Sequence, residues 1–237
     1  MMVNSFSYQG ETIEYQLIKS KRKTISIRVT DQEVSVRAPK NMSNAKIHEL
    51  VLTRAAWIGQ KRLELMRQSQ ERPHHTYETG DEFLYQGDKI TLMVNFGEFY
   101  QVKLELQERK LIVTLPHENP EEVQILLEQW YRQQAKRQIT LRVQEYQRQY
   151  QYFEAAKRIT IKDQKSRWGS CSTKGNLNFN YRLIMAPPQV LDYVVVHELC
   201  HLCHMNHSQE FWSLVGQIMP EYGQMRQWLK LHGKMLH

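Results

Sequence analysis

The chain has 237 residues, 41% apolar and 24% charged, the composition of a folded protein with room for one large core, or for a core and a smaller lobe. A formal net charge of +7 permits an anionic partner but falls short of a protein that packages nucleic acid, and there is no apolar run of about 18 residues to span a membrane. The first ten residues lack a basic stretch followed by an apolar one, and Cys171, Cys200 and Cys203 are few and odd in number, so free thiols and a cytoplasmic location are expected.

Residues 8–17 and 23–39 read as strands. Ile25, Ile27 and Val29 alternate with polar neighbours, and Val34 and Val36 resume the alternation after a polar turn, which is a hairpin signal. The basic run 19–23 between them reads as a solvated loop. Ser43 is an N-cap for a helix over 43–69, carried by Ile47, Leu50, Val51, Ile58 and Leu63 and stopped by Pro73. A second strand series follows, with Phe83, Tyr85, Ile90, Leu92 and Val94 around the Gly87-Asp88 turn, then 102–106 and 111–115. Residues 1–117 are therefore expected to form a β-rich lobe, an antiparallel sheet backed by one helix.

Residues 118–237 are expected to form a second, mainly helical domain, giving an α+β protein overall. Pro120, Glu121 and Glu122 open a long helix, with proline at a tolerated first-turn position and acids at the positive end. Its stripe from Val123 to Tyr150 reaches about Lys157, with a break near Thr140 as an option. Residues 159–161 suggest a short strand and 166–172 a turn-rich loop. Residues 176–185 alternate strictly and predict a longer strand; if it lies at a sheet edge, it offers its backbone to an extended peptide.

Pro187-Pro188 then starts an apolar helix bearing His197-Glu198-Leu199-Cys200-His201. On a helix, four residues bring both imidazoles to one face, one turn apart, where they can share a metal. Glu198 stands beside His197 as a general base for an attacking water, and His207 supplies a third nitrogen if the chain leaves the helix near Met205. Three protein ligands with one open position suit a catalytic zinc, whereas a structural zinc is closed by four. Two buried imidazoles and a carboxylate on an apolar helix would be costly without such a counter-ligand. His204 is assigned to the surroundings of the metal or to substrate binding, and Glu210 is a competing carboxylate. Arg167, Tyr181 and Arg182 are candidates to bind substrate and steady a developing oxyanion, nominated by sequence proximity alone.

Cys200-His201-Leu202-Cys203-His204 also matches the pattern for covalent haem attachment, but that chemistry belongs to exported proteins, and a zinc knuckle on the two cysteines would leave His197 and Glu198 unexplained. The two cysteines read better as small buried side chains.

The histidine motif, Asn206-His207-Ser208, Phe211-Trp212, the segment Ser166-Arg167-Trp168-Gly169-Ser170-Cys171-Ser172 and Val34-Ser35-Val36-Arg37-Ala38-Pro39 together resemble the YgjP-like (DUF45, WLM-like) metallopeptidases over nearly the whole chain. The resemblance implies a zincin-like helical core behind the small sheet lobe, Zn2+ on His197, His201 and His207, the base on Glu198, and a peptide or protein substrate. It also implies kinship with SprT- and Wss1-type proteases that act on DNA-linked proteins, which makes nucleic acid a candidate partner for the basic charge without establishing it. The histidine spacing equals that of metzincins, but His204 stands where their glycine would be. Some members of the YgjP-like group carry a nucleotide pyrophosphatase label, so hydrolysis of a UTP-type nucleotide is the alternative reaction. A non-catalytic basic module binding DNA or protein is the alternative outside enzymes.

Overall fold

Alternation of Ile13, Tyr15 and Leu17 with polar residues builds the first sheet of the computed structural model, which describes residues 2–30, 32–70, 75–164 and 166–236. Its strands are β1 (Met2–Tyr8), β2 (Glu11–Ser20), β3 (Ser26–Val29) and β4 (Val34–Pro39), in the order β1-β2-β4-β3. Gln9 and Gly10, both at positive φ, form the two-residue turn between β1 and β2, so the strand expected from Tyr8 begins after that turn and gains a partner before it. The sheet is mixed rather than antiparallel: two antiparallel hairpins meet through their second strands, β2 and β4, which run parallel.

The helix expected over 43–69 is two helices, α1 (Asn44–Leu52) and α2 (Ala55–Gln70). The Ser43 hydroxyl accepts the Lys46 N–H and starts α1. The break follows from Thr53, whose hydroxyl donates to the Leu50 carbonyl as the chain turns. Pro73, the expected stop, lies outside the described residues. Ile47, Val51 and Ile58 from the helices close over Phe6, Ile13, Tyr15, Leu17, Val34 and Val36.

A second sheet repeats this plan with β5 (Glu82–Tyr85), β6 (Asp88–Phe96), β7 (Gln101–Glu105) and β8 (Lys110–Leu115), ordered β5-β6-β8-β7 with β6 and β8 parallel. Its first hairpin turns on Gln86 and Gly87, again both at positive φ. The long helix α3 (Pro120–Gln149) is unbroken at Thr140 and is capped by the Asn119 side chain, which accepts the N–H groups of Glu121 and Glu122. It stops short of Lys157 because Tyr150 leaves helical geometry and Phe153 turns into the core.

The third sheet has strands β9 (Arg158–Lys162), β10 (Gly169–Cys171) and β11 (Asn176–Asn180), in the order β10-β11-β9. The strand expected over 176–185 ends at Asn180, whose buried side chain accepts the Arg182 N–H and starts a 3-10 turn, Tyr181–Met185. β11 is also the central strand, paired on both sides, so it has no free edge for a peptide. The helices α4 (Pro188–Cys203), α5 (Gln209–Ile218) and α6 (Tyr222–His232) follow.

Two compact units result, Met1–Arg72 and Pro73–His237, rather than a division at 117/118. The reason is packing: Leu92, Leu111, Val113 and Leu115 of the second sheet lie in one core with Leu127 and Ile139 of α3 and Val195 and Leu199 of α4. The fold is mixed α/β, with three small sheets and six α-helices among the described residues. No described helix is long and apolar enough to cross a membrane.

Candidate metal centre

Helix α4 owes its stability to burial. Val194, Val195 and Val196 are β-branched and each costs up to about 0.7 kcal/mol in helix propensity. All three are buried, and burial contributes about 1.5–3 kcal/mol per side chain, so packing prevails. The bidentate pair between Arg142 of α3 and Asp192, at 2.6 Å for each bond, braces the first half of the helix. A second brace comes from the Gln86-Gly87 turn, whose N–H groups donate to the carbonyls of Ile184 and Met185 at 2.8 and 3.0 Å, just ahead of α4. A Cβ on Gly87 would press on Pro187 at 3.0–3.2 Å.

His197 and His201 emerge one turn apart, with ring centroids at 4.9 Å. The chain leaves α4 at His204, whose extended backbone (φ −132, ψ 101) starts the return of His207 toward the helix. His207 Nε2 comes within 3.0 Å of His197 Nε2. Ligand nitrogens of His197, His201 and His207 all lie within 4.8 Å of one another. Nitrogens sharing one zinc sit about 3.4 Å apart, so side-chain adjustment alone closes this group on an ion. His201 Nδ1 donates to the His204 carbonyl at 2.9 Å, which leaves the lone pair on Nε2. Burial, with help from His201, His207 and Arg226, pushes His197 down to about 3 and keeps its ring neutral. Three imidazoles crowded around a common point are a cation's donor set, and the residues fit a zinc ion.

Glu198 is only 4% exposed, and its Oε2 has no hydrogen-bond partner. Burial pushes its carboxyl up to about 8, against a downward pull from Arg167. Gly169 explains how the carboxyl fits: a Cβ there would meet Glu198 Oε1 at 2.5 Å and Cδ at 2.8 Å. β10 therefore passes directly over the carboxylate, and its outer edge is the sheet edge beside the site.

The far wall is aromatic. Phe211 stacks on His201 at 4.5 Å, Trp212 on His207 at 5.6 Å, and Arg226 lies over Trp212 at 4.9 Å. A pocket of about 370 Å³ opens beside His197 and Glu198, lined also by Arg167, Gly169, Tyr193, Arg226 and Lys230.

The sequence-nominated residues thus divide. His197, Glu198, His201, His207 and Arg167 come together. Tyr181 and Arg182 do not: they line a different pocket with Tyr77, Phe83 and Tyr131, sharing no lining residue with the first. Tyr181 is buried between the guanidinium groups of Arg132 and Arg182, each 4.5 Å from its ring, and Arg182 is paired with Asp163. The early end of β11 carries both away from the metal ligands. The His204 ring is not among the clustered ligands; its backbone carbonyl orients His201 instead. Glu210 is likewise outside the cluster and accepts the Ser208 side-chain hydrogen bond at the start of α5. Gly169, Tyr193 and Arg226 were not assigned from sequence. The Trp168-Gly169-Ser170 turn signal was visible for the first, whereas no local signal marks Arg226.

No curated protein matches the chain. Among solved structures, the metallopeptidase zymogen abylysin of Pyrococcus abyssi is similar over 39% of this chain and 94% of its own, with 21% identity and a TM-score of 0.36. A family model described as "YgjP-like, metallopeptidase domain" matches residues 23–232, across both units. The chain therefore belongs to the YgjP-like metallopeptidase family.

Proposed function

We propose that the chain is a zinc-dependent peptidase whose second unit works as a zincin-like catalytic unit, with His197, His201 and His207 holding the metal and Glu198 acting as general base. The observation that carries this reading is the convergence of three imidazoles beside a buried carboxyl that has an unpartnered oxygen. A zinc ion held there supplies Lewis acidity toward the scissile carbonyl and makes a water acidic enough to attack at neutral pH. Glu198 takes the proton of the attacking water on its free Oε2 and returns it to the leaving nitrogen. Its apolar surroundings favour the protonated carboxylic acid between those two steps. Arg167 and Tyr193 line the same pocket and are the donors available to the developing oxyanion. An extended substrate pairs with the outer edge of β10, which brings a peptide carbonyl over Glu198.

The test is metal content by plasma mass spectrometry on untagged protein and on His201→Ala and His207→Ala, followed by peptide-library cleavage with Glu198→Gln as the inactive control. About one zinc per chain, lost in both variants, with cleavage that depends on Glu198, is the expected result. Zinc retained without His207 would move the third ligand elsewhere. Tight zinc with no turnover would favour the non-catalytic binding module, and release of pyrophosphate from UTP without peptide cleavage would favour the nucleotide reaction.

A further inference from the structure

The pocket beside the metal centre has an uneven charge. Arg226 and Lys230 stand four residues apart on α6 and so project from one face, and Arg167 lines the same space from the loop just ahead of β10. Elsewhere in this unit, Arg132, Arg142 and Arg182 are each held by a carboxylate, from Glu128, Asp192 and Asp163 respectively. Arg226 and Lys230 have no carboxylate partner among the described residues, and the one acid lining the pocket, Glu198, interacts with Arg167. Arg226 is fixed in place by stacking on Trp212, itself stacked on His207. Arg226 and Lys230, positive and without counter-charge beside a reacting centre, await an anion from the substrate.

The surrounding backbone narrows the class of anion. Polyphosphates are held by helix N-termini and glycine-rich nests. Here α6 contributes Lys230 from its last turn, the negative end of its dipole, and α4 contributes the middle of its length. Side-chain cations without a backbone phosphate cradle suit a carboxylate. A peptide lying along β10 runs past Arg167 and Gly169 and so delivers its own side chain or terminus to this space.

Resting on the peptidase reading above, we propose that Arg226 and Lys230, with Arg167 opposite, form a subsite that selects peptides bearing a carboxylate close to the cleaved bond. The carboxylate comes from an acidic side chain or from the peptide's own C-terminus, and the two sources share the same recognition chemistry.

Binding is measured by titration calorimetry on the full-length, zinc-loaded Glu198→Gln protein with three peptides of equal length. One is neutral and amidated, one carries Glu in place of Gln and is amidated, and one is neutral with a free C-terminal carboxylate. At least one charged peptide should bind about tenfold or more tighter than the neutral one, as a charge-assisted hydrogen bond requires; which one gains identifies the source. The gain should vanish in Lys230→Glu and in Arg226→Gln, and Lys230→Glu should instead prefer a lysine-bearing peptide. Lys230 is exposed, so its variant should keep its zinc and its binding of the neutral peptide. Equal binding of all three peptides overturns the proposal, as does a gain that survives both substitutions. Inorganic pyrophosphate binding with no carboxylate preference also overturns it, in favour of a phosphoryl ligand. Carboxylate selectivity without any peptide turnover by the wild type would sink the peptidase reading and leave the subsite standing.

Discussion

The two four-stranded sheets make an internal comparison. They share strand order, a parallel central pair and a first hairpin written almost identically, Phe6-Ser7-Tyr8-Gln9-Gly10-Glu11 in one and Phe83-Leu84-Tyr85-Gln86-Gly87-Asp88 in the other. Each is followed by helix, and in each the glycine of the turn has positive φ, +84 at Gly10 and +88 at Gly87. They differ in what the turn meets. Gly10 has nothing within 4 Å of its would-be Cβ, whereas Gly87 is pressed against Pro187 and its turn bonds to the segment ahead of the histidine helix. They differ in charge too: residues 1–72 hold 13 Lys and Arg against 7 Asp and Glu, while 73–237 hold 19 against 18, so nearly all of the +7 sits in the first unit. One sheet design therefore serves two ends. In the second unit it braces the histidine-bearing helix; in the first it carries basic charge on a self-contained core.

The largest effects should fall where the first unit has no counterpart. His207→Ala should lose the metal, and Glu198→Gln should keep it while peptide cleavage drops by about 10²–10⁴, read by metal analysis and single-turnover assays. Gly169→Ala should follow, because a methyl group 2.5 Å from Glu198 Oε1 must displace the base. About a hundredfold loss of kcat with zinc retained is expected, and full activity would remove Gly169 from any role in placing the carboxyl.

Electrostatics separates the units by pH. In the metal-free protein the Glu198 carboxyl is raised from 4.5 to about 8, so the folded state binds more protons than the unfolded chain between those values. Its contribution to stability is full below the lower value and is lost as pH rises through the upper. Below about pH 6.5 His197 and His201, both held toward the neutral form, act in the opposite sense, so thermal unfolding of the metal-free protein should show this decline from pH 7 to 8, and Glu198→Gln should flatten it.

The turns provide the smallest and most direct test. Gly87→Ala adds contact with Pro187 to the cost of positive φ and should destabilise by about 2–3 kcal/mol, with lower activity from a shifted α4. Gly10→Ala carries the conformational cost alone, about 1 kcal/mol, and should leave activity unchanged. Equal effects in denaturant titrations would mean that the second turn does not brace the helix.

Much of the metal centre was legible because it is local. Helical spacing sets His197, Glu198 and His201, and a short loop returns His207, all within eleven residues. The Gly87-Asp88 turn, the Ser43 cap and the proline start of α3 were legible for the same reason, each being fixed by neighbours in the chain, whereas the matching Gln9-Gly10 turn fell at the edge of a run read as strand. Sequence proximity misled where long-range packing intervened. Tyr181 and Arg182 follow the motif-bearing strand closely, yet Asn180 turns the backbone and sends them to another pocket.

The sequence by itself determined the spacing of the three histidines, the carboxyl beside them and most of the helices and strands, because these follow from periodicity and capping within a few residues, and its combined motifs pointed to the family. Only the tertiary structure decided the pairing of β11 on both sides, the division after Arg72, the glycine that makes room for Glu198, and the cationic pocket. Those depend on contacts between residues far apart in the chain, such as Gly169 with Glu198 and Arg226 with Trp212 and His197, which no local pattern encodes.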